Sequence, residues 1–390
     1  MKKDGFIRIV FAGGGTGGHI YPGIAVADAL KSMSESRGIK IKIYWIGNSS
    51  GMDRNIVLKN SLEEGGCISA FYGIPCGKLR RYFSLQNFID IFKVFVGFLK
   101  SIFILLRIRP DCLFSKGGFV SVPPCWAAGL LNIPYYTHEC DFTPGLATRL
   151  NAGKARNVLL SYNETASGFS KEIGARCIVT GNPVRPVFYS DTSVEGFKFL
   201  SVSEKHEKPV LLVLGGSLGA KQVNTLVVEN LDWLKERFIV VHQTGKAFAD
   251  EHPDVMSSGD ESYKPYAFIY KEMPSVIQCA DIVLSRAGAN SIWESAVCGK
   301  PMVLIPLCGS GTRGDQVDNA RYFERKKAAL VLAGDEADGT HLKQSLETLL
   351  DRDRRAAYSA ACAGLCSGEK PANKISHIIL DGLHNDTSVN

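Results

Sequence analysis

Short runs rich in Val, Ile and Leu alternate with helix-length segments of mixed polarity along the whole chain. This rhythm predicts strands joined by crossover helices, and therefore parallel sheets in an α/β fold. In the first half the predicted strands are Phe6–Ala12, Ile41–Ile46, Asp111–Ser115, Pro134–Thr137, Val158–Ser161 and Cys177–Thr180. In the second half they are Pro209–Leu214, Phe238–Thr244, Ala267–Tyr270, Ile282–Ser285, Met302–Ile305 and Ala329–Leu332.

The two halves share a grammar. "RIVFAGGGTGGH" near the start is answered by "VLLVLGGSLGAK" at Val210–Lys221. "LFSKGGFVSVPPCWAAGLLNIPYY" is answered by "VLSRAGANSIWESAVCGKPMVLIP", each reading strand, Ser-Lys or Ser-Arg, glycine turn, helix, Pro, strand. Two Rossmann-like domains in tandem, each with its own glycine loop, are expected. The boundary is expected in "TGNPVRPVF", where prolines and a glycine interrupt the pattern. That divides the chain into 1–184, 185–369 and a closing segment, 370–390, expected to pack back on the first domain. A cleft between such domains is where a ligand is expected.

Length and composition narrow the class. At 390 residues the chain exceeds a single core, which agrees with two domains. Hydrophobic residues make 45% and charged residues 22%, ordinary values for a globular protein. The net charge of +6 is too small to imply nucleic acid unless it is clustered. Eleven cysteines show no CxxC or Cys/His cluster, so reduced thiols of a cytoplasmic protein fit better than disulfides or zinc. "MKKDGFIRIVFAGGG" lacks the apolar region of a signal peptide, and no uncharged apolar run approaches a membrane span.

The first glycine loop places five glycines within six positions, followed by His19. Such a turn lets backbone N–H groups approach an anion, with favourable field from the helix N-terminus. It is a poor Walker A sequence, since no Gly-Lys-Ser/Thr follows. It is also a poor NAD site, because "KIYWIG" ends without the acid that would hold an adenosine ribose. The only DxD, Asp351–Asp353, lies in a charged helical stretch that reads as a solvated face. The motifs demand no metal or other cofactor, and leave a divalent cation (Mg or Mn) open but unassigned.

"GGGTGGHIYPGIAVADAL", "SKGGFVSVPPCWAA", "HECDFTPGLATRL", "GNPVR", "GGSLGAK" and "SRAGANSIWESAVCGKPMVLIPL" occur together in this order. With them the chain resembles, from about Phe6 to Leu332, the GT-B glycosyltransferases of family 28. These add GlcNAc to lipid-linked MurNAc-pentapeptide in peptidoglycan synthesis. The resemblance implies an inverting transfer from UDP-GlcNAc to the 4-hydroxyl of MurNAc in undecaprenyl-diphospho-MurNAc-pentapeptide (lipid I), giving lipid II and UDP. Its nearest rivals are a related enzyme that glycosylates diacylglycerol and a non-catalytic UDP-sugar sensor at the membrane.

Site residues follow from the same match. Gly288, Ala289, Asn290 and Ser291 open a helix whose N–H groups would meet the donor diphosphate. Glu294, one turn on, would take both ribose hydroxyls. The resemblance places the Ile269 backbone at uracil, Ser217 and Arg185 at phosphate, and Gln316 at the GlcNAc hydroxyls. It places Thr16, Gly17 and Gly18 at the loop edge facing the donor. Gly14, Gly15, Gly117 and Gly118 would cradle the acceptor's diphosphate. His19 is the expected general base, because an imidazole with ordinary pKa near 6.5 suits deprotonation of a hydroxyl at neutral pH. Glu139 is the second candidate base. His138 is expected to pack at a strand end. Where the family pattern reads His-Glu-Gln-Asn, this chain has His138-Glu139-Cys140-Asp141. Asp141 is thus expected either to accept from a sugar hydroxyl or to help remove the acceptor proton.

Cys76–Pro110 is the most unusual stretch. It has six Phe between Phe83 and Phe103, seven basic residues, and only Asp90 acidic. Lys93 and Lys100 prevent a span. An interfacial surface meeting anionic lipid is expected, with Lys78, Leu79, Arg80, Arg81 and Phe83 as its contacts. The expected location is therefore peripheral, on the cytoplasmic face of the cell membrane, with cell-wall synthesis proteins as compatible partners and no nucleic acid.

Overall fold

The computed structural model describes residues 5–59, 66–77, 85–215, 221–309 and 314–388. The chain forms two compact units, Met1–Arg185 with Glu369–Asn390, and Pro186–Gly368. Each is built on one parallel sheet, so the α/β, doubly Rossmann-like class read from the sequence is the class observed.

The first sheet contains β1 (Ile7–Gly13), β2 (Ile41–Asn48), β3 (Ile68–Ile74), β4 (Cys112–Gly117), β5 (Tyr135–Glu139), β6 (Asn157–Leu160) and β7 (Cys177–Val179). Their spatial order is β3-β2-β1-β4-β5-β6-β7. The chain moves outward one way from β1 and, after β4, outward the other way. β1 and β4 lie side by side with Gly13 opposite Gly117. Turns leaving such neighbours diverge and open a crevice at the carboxyl ends of the strands. Both glycine turns of this unit start there.

β4 is buried at all six positions, apolar over Cys112–Phe114 and then carrying Ser115, Lys116 and Gly117 inward to the turn. One face of the sheet carries Phe11, Trp45 and Phe114, with rings in stacked and edge contacts. The Trp45 indole N–H donates to the Gly13 carbonyl at 2.9 Å, anchoring the last residue of β1. The same face takes Ile375, Ile379 and Leu380 of the helix Pro371–Ser388, so the end of the chain completes the first core.

The second sheet contains β8 (Val210–Leu214), β9 (Ile239–Gln243), β10 (Tyr263–Tyr266), β11 (Ile282–Ser285), β12 (Met302–Leu304) and β13 (Ala329–Val331). Its order, β10-β9-β8-β11-β12-β13, puts the switch point between β8 and β11. Ser285 stands opposite Leu214 there. Buried His242 is held by the Tyr263 hydroxyl at 3.0 Å and by Asn224 Oδ1 at 3.1 Å. Burial pulls its pKa down to about 3, so it is a neutral core residue.

Two strands depart from the pattern. β3 was not expected: "ISAFYGI" has a half-buried edge pattern and a glycine in place of a continuous apolar run. β10 was expected four residues later. It contains Pro265, which reads against a strand, but it is the outermost strand of its sheet, where a missing N–H costs no ladder bond.

Candidate functional site

In the first unit the turn after β1 leads into the helix Gly17–Ser36, with Thr16 at the N-cap in extended conformation. The Thr16 hydroxyl makes no capping bond and the residue is exposed. The His19 ring lies against the second turn. A Cβ on Gly118 would fall 2.7 Å from His19 Cδ2, so only glycine permits this approach. Gly118 also has φ +76, a left-handed conformation that glycine adopts freely. His19 and Gly118 are thus brought together beside the switch point, next to Gly117.

The first turn is tighter than its sequence suggests. The Gly15 N–H donates to both oxygens of Asp53, at 2.9 and 3.0 Å, and the Asn48 N–H donates to the same carboxylate at 2.8 Å. A Cβ on Gly14 would lie 1.7 Å from Asp53 Oδ2, and one on Gly15 would lie 2.5 Å from the Phe119 ring. Packing therefore demands these glycines as much as any ligand does. With its N–H turned to Asp53, Gly15 does not present that donor to a phosphate while this bond stands.

Beneath the second turn lie two buried basic side chains. Lys116 is 1% exposed, and its Nζ makes no hydrogen bond among the described residues. His138 donates from Nε2 to the Gly181 carbonyl at 3.0 Å. Burial, and then the Lys116 charge, hold His138 well below the ordinary imidazole range, so it is neutral and structural. Arg185 closes the first unit with its guanidinium 4.7 Å from the centre of the Tyr21 ring, beside the helix that carries His19.

Glu139 ends β5 and is buried. Its Oε1 accepts from the Asp141 N–H at 3.0 Å and its Oε2 from the Gly145 N–H at 2.8 Å. Both oxygens are committed to shaping the 140–145 loop. That arrangement suits a group that orients Asp141 better than a proton acceptor for a substrate. Glu139, Cys140 and Asp141 are the one grouping of metal-type side chains among the described residues, with ligand atoms within 4.8 Å of one another. Acidic neighbours are common without a metal, and both oxygens of the Glu139 member already serve the loop.

In the second unit the helix Ala289–Val297 follows β11, with Gly288 at its N-cap in extended conformation. Half-buried Glu294 lies one turn inside it, so the N-terminal amides and the carboxylate sit on one short element. Ile269 is buried, and its N–H donates to Gln243 Oε1 at 2.8 Å. Only the Ile269 carbonyl remains to meet a base edge. Gln316, in the first turn of the helix Asp315–Arg325, accepts at Oε1 from the Leu307 N–H at 3.0 Å. Its amide N–H₂ is the part left to address a sugar. Ser217 lies outside the described residues, as do Lys78, Leu79, Arg80, Arg81 and Phe83.

Two family models match in tandem, the glycosyltransferase family 28 N-terminal domain at residues 9–160 and its C-terminal domain at 210–377. The chain belongs to glycosyltransferase family 28. A relative from Treponema denticola is 48% identical over 95% of this chain and 96% of its own length. One from Clostridium botulinum (strain Kyoto) is 38% identical over 88% of this chain and 91% of its own. Both are named UDP-N-acetylglucosamine–N-acetylmuramyl-(pentapeptide) pyrophosphoryl-undecaprenol N-acetylglucosamine transferase. The crystal structure of Acinetobacter baumannii MurG has the same fold, with a TM-score of 0.68 at 21% identity over 96% of this chain and 99% of that one. A Neisseria meningitidis UDP-GlcNAc 2-epimerase bound to UDP-GlcNAc aligns with a TM-score of 0.63 at 16% identity, covering 97% of this chain and 100% of that one.

Within this family 28 chain, sequence reasoning missed Asp53, Lys116 and Gln243. "SKGG" did display Lys116 beside the glycines. Nothing local pointed to Asp53 or Gln243, which reach their partners across 38 and 26 residues.

Proposed function

We propose that this family 28 enzyme moves GlcNAc from UDP-GlcNAc to the 4-hydroxyl of MurNAc in undecaprenyl-diphospho-MurNAc-pentapeptide, giving lipid II and UDP. The observation that carries the reading is a turn opening into a helix at the switch point of each parallel sheet, a geometry suited to an anion. Donor and acceptor both bear a diphosphate, and the relatives are named for this transfer. The donor is assigned to the second unit. Its diphosphate meets the amides of Ala289, Asn290 and Ser291, its ribose meets Glu294, its uracil meets the Ile269 carbonyl, and its sugar meets the Gln316 amide. Ser217 supplies a further phosphate contact. The acceptor is assigned to the first unit, with its diphosphate at the turns that carry Gly14, Gly15, Gly117 and Gly118.

The chemistry is a single displacement with inversion. The acceptor 4-oxygen attacks the anomeric carbon as the bond to UDP breaks, and the hydroxyl proton passes to the His19 imidazole. Arg185 places a permanent cation where negative charge grows on departing UDP. Asp141 contacts a sugar hydroxyl, held in place by Glu139. In a thermal-shift experiment UDP raises the melting temperature, while ADP and NAD at equal concentration do not, because the base-recognition edge fits a pyrimidine. Equal protection by NAD contradicts the donor assignment.

A lipid-linked acceptor requires a membrane-facing surface, and we place it on the helix Leu85–Ile108. Phe92, Phe95, Leu99, Phe103 and Leu106 recur at helical spacing on one exposed face, with Phe92 and Phe103 each 66% exposed. Exposed Trp126 and Leu130 sit on the helix Val122–Leu130 that packs beside it. No helix among the described residues is long and apolar enough to cross a membrane, so the reading is a helix lying in the headgroup boundary, with Lys93 and Lys100 toward anionic lipid. Changing Phe92, Phe95 and Phe103 together to Ser lowers partitioning onto anionic vesicles about a hundredfold, counting about 1 kcal/mol for each half-exposed ring. Co-sedimentation measures it; parental partitioning moves the membrane contact to another face.

A further inference from the structure

We infer that Asp53 is a positioning residue of the acceptor site: by taking the Gly15 N–H itself, it holds the first glycine turn in the shape that meets the acceptor's diphosphate. The inference rests on the transfer reaction proposed above and assigns a part in it to a residue that no motif includes.

Asp53 is 1% exposed, at the first position of the short helix Asp53–Leu58. Its carboxylate bonds the Gly15 amide in the turn after β1 and the Asn48 amide at the end of β2. It therefore ties two adjacent strand ends together through one rigid group. The side-chain partners are backbone amides alone, with no Lys or Arg opposite them among the described residues. Burial raises the Asp53 carboxyl above the ordinary carboxylate range, and the amides of Asn48 and Gly15 draw it back. An acid kept in such a place needs a use, because an apolar residue there would avoid the desolvation.

The use follows from the turn. A glycine-rich segment samples many backbone conformations, and a diphosphate that had to order it would bind more weakly. With Gly15 fixed by Asp53 and flanked by Phe119, the turn is shaped before any ligand arrives. The acceptor's phosphates then meet a turn in which the Gly15 amide is already taken. Gly14 becomes obligatory for a reason internal to the protein, since any Cβ there would displace the carboxylate.

The test uses full-length protein, UDP-GlcNAc and a short-chain, water-soluble lipid I analogue. Asp53→Asn keeps the side-chain volume but turns an N–H₂ group toward one of the two amides. Acceptor KM is expected to rise roughly tenfold while donor KM and UDP-induced thermal protection stay at parental values. Hydrogen exchange at the Gly13–Gly18 segment is expected to quicken in the same variant, a readout independent of activity. Gly14→Ala is expected to raise acceptor KM in the parent and to add little in an Asp53→Ala background, because the two changes remove one contact. Parental acceptor KM in Asp53→Asn overturns the inference. So does a loss confined to the folded fraction with both KM values unchanged, or an equal cost of Gly14→Ala in both backgrounds. If the parent itself fails to glycosylate the analogue, the transfer reading falls, while the exchange result still decides whether Asp53 holds the turn.

Discussion

Alanine in place of His19 lowers kcat by two to four orders of magnitude while donor KM stays within a few-fold of the parent. General-base catalysis contributes roughly a hundred- to ten-thousandfold, and neither Glu139 nor His138 is placed to replace the imidazole. Glu139 has both oxygens engaged by the Asp141 and Gly145 amides. His138 is buried, neutral and bonded to the Gly181 carbonyl. His19→Gln retains a hydrogen-bonding side chain of similar reach but cannot accept the proton at neutral pH, so it falls nearly as far. Steady-state kinetics on a soluble acceptor checks this. A retained kcat with a raised acceptor KM makes His19 a phosphate contact and passes the base to Asp141.

Glu294→Ala raises donor KM by a hundredfold or more. A carboxylate holding two ribose hydroxyls makes two charge-assisted hydrogen bonds, each worth about 1.5–3 kcal/mol. The helix Ala289–Val297 fixes that carboxylate one turn from the amides assigned to the diphosphate, so no other acid on the element can take its place. Glu294→Gln keeps one acceptor oxygen and costs less. Acceptor KM is unchanged in both variants, since the acceptor is assigned to the other unit. Titration of donor at saturating acceptor gives the answer; a parental donor KM removes Glu294 from the ribose.

Much of the fold was legible because strands buried on both faces read as apolar runs, as β8 does at every position and β4 does over Cys112–Phe114. β3 and β10 were harder, being edge strands whose half-exposed positions admit Gly, Pro and polar residues. At the site, glycines and His19 were legible because turn chemistry is local in sequence. What shapes the turns was not. Asp53, Gln243 and Phe119 act across the fold, and a single chain does not reveal which acid or amide faces which turn. Gln316 and Ile269 were picked out as positions in the pattern, but the internal bonds made by the Gln316 side chain and the Ile269 amide emerged only in three dimensions. The stretch Cys76–Pro110 shows the same division. Its composition led to the expectation of a lipid-facing surface at Lys78–Phe83, while the apolar face that is laid bare among the described residues runs along Phe92–Leu106.

The most direct measurement is product analysis after incubating the protein with UDP-GlcNAc and a short-chain lipid I analogue. The expected product is the acceptor carrying one added GlcNAc on the MurNAc 4-hydroxyl with inverted anomeric configuration, and one UDP is released for each. An acceptor of unchanged mass, with UDP-GlcNAc either intact or converted to an isomeric sugar nucleotide, contradicts the proposed transfer.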